Sequence, residues 1–224
     1  MEKPLTTTSH ALLGLLRLKP WTTYELAKQV QKGLGWFWPR AERKLYDEPK
    51  LLVAAGLATA AQERTGRRPR TVYRITPAGR RALRDWLAEP SAPPALEMEA
   101  LVRVFFADGG SKESLLATLD GIAQQAKEKR DALQDQIDRS LTADYEFTAR
   151  RHVNAITLRY ELDRLTQMAQ WATWARAQAE QWPSTTDPGD WDWKAALDVK
   201  EPATSRGPGR GGPSARQQAQ GKQA

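Results

Sequence analysis

One stretch constrains this chain more than any other, residues 39 to 74. It opens PRAERKLYDEPKLLVAAGLA and closes on the basic run RTGRRPRTVYR. The first part has helical spacing, with cations on one side and Leu45, Leu52 and Val53 facing inward. Gly56, after Ala54 and Ala55, is a helix stop, because glycine enters the left-handed conformation with little strain. Two strand-like pieces follow, residues 57–62 and 70–75. Between them lies a hairpin tip with Arg64, Arg67, Arg68 and Arg70, where Gly66 makes the turn and Pro69 marks its edge. A cationic helix followed at once by an arginine-tipped hairpin is the order of parts in a winged helix-turn-helix. Such a unit places the helix in the DNA major groove and the hairpin on the flanking backbone.

The chain has 224 residues and a formal net charge of +7, with an isoelectric point near 9.7. A polyanionic partner is favoured, and the location of the charge, in the hairpin and the C-terminal tail, says more than its sum. There is no cysteine. That removes disulfides, thiol nucleophiles and the usual structural zinc sites. The longest N-terminal apolar run, Ala11 to Leu16, is far short of the roughly 20 residues that cross a bilayer. A convincing signal-peptide cleavage site is also missing, so the expected location is cytoplasmic.

In chain order, Thr8 or Ser9 caps a first helix running to Arg17. Leu12, Leu13, Leu15 and Leu16 give it a thick apolar face. Thr22 and Glu25 have capping-box spacing, which starts a second helix at Thr23, with Tyr24, Leu26, Ala27 and Val30 as its apolar positions. Gly33 or Gly35 closes it, and Trp36-Phe37-Trp38 turns the chain into the third helix. After the hairpin, Thr76 is an N-cap with Pro77 at the first helical position, where its missing N–H is harmless. That helix runs to about Glu89, and Pro90, Pro93 and Pro94 mark a linker.

The remainder is helical. Leu96 to Ala107 forms one helix, and Ser111 caps the next. Leu115, Leu119, Ile122, Ala126, Leu133, Ile137 and Leu141 make its long apolar stripe. A last helix spans about Phe147 to Trp182. The two long helices are expected to pack antiparallel, with surface to spare for a second copy. The fold expected is thus mainly α: an N-terminal winged helix-turn-helix of three helices and a two-stranded wing (residues 1–90), then a helical dimerisation and effector domain (residues 91–182). Residues 183–224 are rich in Pro, Gly, Ser, Gln and Arg and are expected to be disordered, apart from a short turn around Trp191 to Leu197.

These pieces resemble the PadR-like transcriptional regulators of bacteria. The residues that carry the resemblance are Thr8-Ser9-His10-Ala11-Leu12-Leu13-Gly14-Leu15-Leu16, then Tyr24-Glu25-Leu26, Leu45-Tyr46, Leu52 to Leu57 (LVAAGL), and the wing GRRPRTVYRITPAGRRALRDWL from Gly66 to Leu87. The region after Leu96 looks like the longer members with a separate dimerisation domain. The resemblance implies a homodimeric repressor that occupies a pseudo-palindromic operator and responds to a small aromatic or hydrophobic effector. One departure stands out: Pro49 occupies a position where the family often has leucine. Proline inside a helix deletes a hydrogen bond, at about 3 kcal/mol uncompensated. The expectation is therefore a short reading helix, Pro39 to Tyr46, with the rest a second segment at an angle.

The candidate DNA contacts are Arg40, Arg43, Lys44 and Tyr46 on the third helix and Arg67, Arg68 and Arg70 on the wing. Arginine grips a guanine edge with two parallel hydrogen bonds, worth about 1 to 3 kcal/mol of discrimination. Wing arginines contact phosphates or enter the minor groove, giving affinity more than sequence choice. The bland alternatives are a solvated basic face and a solvated turn; Tyr46 and Tyr73 have core-like bodies, and core is favoured for Tyr73. Phe105, Phe106, Tyr160, Trp171 and Trp174 are candidates for an effector pocket or for the dimer interface. His10 and His152 are isolated, and no catalytic triad, phosphate loop or metal-ligand cluster appears. The chain is accordingly expected to be no enzyme and to need no cofactor. The partners implied are double-stranded DNA, a second copy of the chain and a small effector, with no membrane. A winged-helix interaction adaptor without specific DNA binding is the other class that fits.

Overall fold

The computed structural model describes residues 5–39, 41–65, 68–142 and 144–197. Helix α1 (Thr7–Leu18) opens the N-terminal head. Its cap is Thr6, two residues before Thr8 and three before Ser9. The Thr6 hydroxyl accepts from the Ser9 amide, and Ser9 Oγ accepts from the Thr6 amide at 2.9 Å. A serine thus fills the place that Glu or Gln holds in the usual capping box. Strand β1 (Trp21–Thr22) follows. Trp21 is buried, and its indole N–H donates to the Leu15 carbonyl at 2.8 Å.

Helix α2 (Thr23–Gly33) begins with the expected box, as the Thr22 amide donates to Glu25 Oε2 at 2.8 Å. That backbone N–H, ahead of the nearby cations Arg70 and Lys19, holds the Glu25 carboxyl below its ordinary value. Leu26, Ala27 and Val30 are buried. Tyr24, expected on the apolar face, is 62% exposed instead.

Helix α3 runs unbroken from Glu42 to Ala54 with Pro49 inside it, so the expectation of a short reading helix and an angled second segment is corrected. Leu45, Pro49 and Leu52, four and three residues apart, are all fully buried. The proline ring fills the core position that an aliphatic side chain would take, and its burial offsets part of the cost of the missing hydrogen bond. Just before it, the Glu48 carboxylate accepts from the hydroxyls of Ser9 and Thr6, which pins this turn of α3 to the start of α1. Gly56 stops the helix at φ 69°, as expected, and the Leu57 amide reaches back to the Leu52 carbonyl at 2.9 Å.

Strands β2 (Ala58–Thr65) and β3 (Arg68–Ile75) are longer than the sequence suggested. They pair antiparallel in register Ala58↔Ile75 through Thr65↔Arg68. β1 adds to the other edge of β3, Trp21 opposite Tyr73, so the sheet has three strands in the order β1-β3-β2 rather than two. A two-residue strand leaves no periodic signal; the burial of Trp21 under Tyr73 creates it. Helix α4 (Pro77–Ala88) starts on the Thr76 cap, whose hydroxyl accepts from the Gly79 amide and donates to the Gly56 carbonyl. The head's core gathers Leu12, Leu13, Leu16, Leu26, Leu45, Leu52, Tyr73 and Leu83.

An extended stretch leads to α5 (Glu99–Phe105), a 3-10 turn (Ala107–Gly109) and the long helices α6 (Lys112–Ser140) and α7 (Arg151–Glu180). Ser111 caps α6 as expected. Lys112 meets the carbonyls of Glu180 and Trp182, and Arg151 meets that of Ser140, so α6 and α7 lie antiparallel. Leu115, Leu119, Ile122, Ala172 and Ala179 form a second apolar cluster. α7 starts later than Phe147 because Phe147 turns back to pack on the head's core. Glu161 departs from the surface pattern of the other carboxylates: it is buried, and Arg164 holds it at 2.8 Å.

The expected disorder is corrected for residues 183–190, and the turn expected around Trp191 to Leu197 is present. Residues 183–191 fold back as a strap over the end of α7, and α8 (Trp193–Leu197) follows. The remaining tail, including the Gly207 to Gly212 run, lies outside the described residues. Among the described residues, no helix is long and apolar enough to cross a membrane.

Candidate nucleic-acid interface

Burial of Leu45, Pro49 and Leu52 decides which side of α3 faces out. Arg43, Lys44, Asp47 and Lys50 are exposed on the opposite side. Arg43, Asp47 and Lys50 follow one stripe along the helix, and Lys44 stands beside it. Asp47 is the one acidic group in that set. Tyr46 is half-buried and packs against the head's core, so it stands at the edge of this face. Arg40 lies outside the described residues.

The wing carries its charge on alternate positions of β3. Arg70 and Glu63 are register partners, with Arg70 Nη2 3.4 Å from a Glu63 oxygen. Arg74 reaches the other oxygen of the same carboxylate at 2.9 Å. One glutamate thus holds two arginines on one face of the hairpin. Gln62 and Thr71 are joined by a 2.9 Å hydrogen bond further along. Arg64 is exposed. Arg67 lies outside the described residues, and of Arg68 only the backbone, paired with Thr65, is described. Arg74 was missed in the sequence, although strand alternation from Arg70 pointed to it.

The five aromatic candidates of the helical region do not form one group. Phe105, Trp171 and Trp174 line one cavity with Trp182 and Trp191. Phe106 packs edge-to-face on Phe105 at 4.9 Å but opens to a neighbouring recess. Tyr160 is exposed and stands with Val153 and Ile156 on a stripe of α7. Tyr73 is buried in the head, as favoured. His10 is a packed histidine, stacked on Trp86 with ring centroids 4.7 Å apart.

A further cavity of about 420 Å³ lies where the head meets α6 and α7. Lys32, Phe37, Arg139, Tyr145 and Arg150 are among its walls. It is bounded by a hydrogen bond from Trp36 to Gln136 and an ion pair between Lys19 and Glu146. Among the described residues no group of three or more His, Asp or Glu side chains stands close enough to hold a metal ion.

A head of this topology, with a basic helix face beside a basic hairpin, joined to a long helical pair, defines a winged-helix regulator. Residues 12–85 match the family model of the transcriptional regulator PadR-like family, and residues 98–180 match that of the virulence activator alpha C-terminal region. The chain is 24% identical over 136 residues to the negative transcriptional regulator PadR of Bacillus subtilis, spanning 60% of this chain and 75% of that protein. The crystal structure of B. subtilis PadR in complex with operator DNA superposes with a TM-score of 0.69 at 22% identity, covering 78% of this chain and 99% of that one. The same protein in complex with p-coumaric acid gives a TM-score of 0.64 at 24% identity over 78% and 99%. The chain belongs to the PadR-like family of DNA-binding transcriptional regulators.

Proposed function

We propose that this chain is a ligand-responsive repressor that acts in the cytoplasm as a homodimer on a pseudo-palindromic operator. The observation that carries this reading is the pairing of two surfaces. One is the exposed row of Arg43, Lys44 and Lys50 on α3, flanked by the wing. The other is the exposed apolar stripe Val153, Ile156 and Tyr160 on α7. The first suits a polyanion; the second suits burial against a second copy. Two heads held apart by paired helical domains would read half-sites about 34–36 Å apart, one turn of the duplex.

The DNA contacts in this reading are Arg40, Arg43, Lys44 and Tyr46 from α3 and Arg67, Arg68 and Arg70 from the wing. The head would comprise residues 1–90 and the dimerisation and effector region residues 91–182. Two separate apolar clusters support that division. Repression follows the relative from B. subtilis, a negative regulator crystallised on its operator.

The effector site in this reading is the cavity at the joint. Its Lys32, Arg139 and Arg150 suit an aromatic carboxylate of the kind bound by B. subtilis PadR. A ligand there would favour one head angle over another by its differential affinity, and so shift the population that fits the operator. The reading assigns the chain no catalytic step.

The test is to enrich genomic fragments with purified protein, then footprint the winners. The expected product is a protected pseudo-palindrome bound by two chains. Failure to enrich any fragment at low salt, with a sedimentation mass of one chain, would return the protein to the adaptor class.

A further inference from the structure

The outward side of α3 carries one residue whose sign does not suit a polyanion. Leu45, Pro49 and Leu52 are buried, and at about 3.6 residues per turn the charged position most nearly opposite them is Asp47. Arg43 and Lys50 flank it on one side and Lys44 on the other, and all four residues are exposed. Each cation stands three or four residues from Asp47, a spacing at which helical ion pairs form readily. Helix α7 uses that spacing for Arg159 with Asp163 and Arg176 with Glu180. Asp47 does not use it: among the described residues it has neither a hydrogen bond nor an ion pair. Its carboxylate faces outward, open to a partner.

A helix in the major groove meets two different surfaces. The groove is about 12 Å wide, and a helix with its side chains is about 10–12 Å across. Residues at the flanks of the outward face therefore meet the phosphate walls, and residues at its middle meet base edges on the floor. Arg43, Lys44 and Lys50 have the length and charge to reach the walls. A carboxylate is repelled by the walls, and on the floor it needs a hydrogen-bond donor. Guanine presents only acceptors there, and thymine an acceptor and a methyl group. Adenine has an amino group, but the N7 acceptor beside it repels a carboxylate. Cytosine offers its N4 amino group with no acceptor next to it.

We propose that Asp47 is a specificity-determining residue whose carboxylate accepts a hydrogen bond from the N4 amino group of a cytosine, one in each half-site of the operator. The flanking cations offset its repulsion from phosphate, so the penalty falls mainly on sequences that lack the cytosine. Asp47 thus serves discrimination more than affinity. The inference rests on the reading of α3 as the helix that enters the groove.

The test uses the full chain and the variants Asp47→Ala and Asp47→Asn. A duplex pool with a randomised core is selected with the unaltered chain. Each position of the winning half-site is then replaced by the other three bases in competition titrations. Expected for the unaltered chain is one position per half-site where cytosine is preferred about tenfold, the scale of one charge-assisted hydrogen bond. Asp47→Ala is expected to flatten that position alone and to tighten binding to unrelated duplexes. Asp47→Asn is expected to move the preference to adenine, whose N6 and N7 an amide pairs with at once. A half-site whose preferences all survive Asp47→Ala overturns the inference and leaves the regulator reading intact. So does the loss of a preference for a base other than cytosine, or an even loss across all positions, which marks a purely structural role. Asp47 is exposed, so both variants keep the core, and unchanged preferences at the other positions check this. If the unaltered chain enriches no sequence, the reading of α3 fails and takes this inference with it.

Discussion

The indole N–H of Trp36 donates to the side-chain oxygen of Gln136 across 3.3 Å. Trp36 belongs to the turn that feeds α3, and Gln136 to the last turns of α6. The bond therefore ties the reading head to the helical pair. Beside it, Lys19 lies over the Trp21 ring at 4.1 Å and pairs with Glu146, while Phe147 meets Trp21 at 6.1 Å. Single polar ties of this kind contribute about 0.5–1.5 kcal/mol each. That is the right scale for a joint that a bound ligand can reset.

Gln136→Leu is the direct test of that joint. Losing one neutral hydrogen bond is expected to leave both domains folded and to change operator affinity by no more than about tenfold. The larger effect should fall on the response to an aromatic carboxylic acid. The ratio of operator affinities with and without the acid, measured by fluorescence anisotropy, is expected to shrink. An unchanged ratio would move the coupling to another part of the joint.

Glu63 holds both Arg70 and Arg74, at 3.4 and 2.9 Å. Glu63→Gln removes the charge that competes with phosphate for these side chains. Binding to DNA of any sequence should tighten, and the slope of log affinity against log salt should steepen by about 1 per added phosphate contact. The paired substitution of Arg67 and Arg68 by alanine should act in the opposite sense. Titrations at several salt concentrations separate the two outcomes.

Pro49 sits inside α3 with its ring fully buried. An interior proline costs about 3 kcal/mol in backbone terms, and burial of its ring returns roughly half of that. Pro49→Ala restores the N–H and forfeits the ring. A net stabilisation of about 1 kcal/mol is expected, read as a higher urea midpoint with an unchanged slope. A loss of similar size would mean that packing of the ring outweighs the hydrogen bond.

His10 stacks on Trp86, 4.7 Å between centroids and 5° from parallel, and its Nδ1 lies 2.9 Å from the Thr6 carbonyl. Burial lowers its pKa, against the smaller opposing effects of the Thr6 carbonyl and the Glu89 charge. The folded chain thus takes up the proton less readily than the unfolded one. The stability linked to neutral His10 is fully present above the unfolded value of about 6.5 and is lost as pH falls through the lowered folded value. Urea midpoints between about pH 8 and pH 5 should decline less steeply in His10→Phe, which keeps a ring on Trp86 without the titration. Identical slopes would falsify the assignment.

What the amino-acid order determined was whatever one or two helical turns can encode. The Thr22–Glu25 box, the stop at Gly56, the Thr76-Pro77 start, the Ser111 cap and the long stripe of α6 each depend on near neighbours, so each could be read directly. Four features depend on residues far along the chain. Trp21 becomes a strand by lying against Tyr73. Pro49 stays helical because a core takes its ring, and Phe147 leaves α7 to reach the head. Gly79 has no substitute because a Cβ there would stand 2.1 Å from the Leu57 carbonyl oxygen. The same holds for charge: the order of residues shows arginines at the wing, while the register of β2 against β3 decides that Glu63 holds two of them. Local signals are energies between neighbours in sequence; these others are energies between neighbours in space, which exist only after the chain has closed on itself.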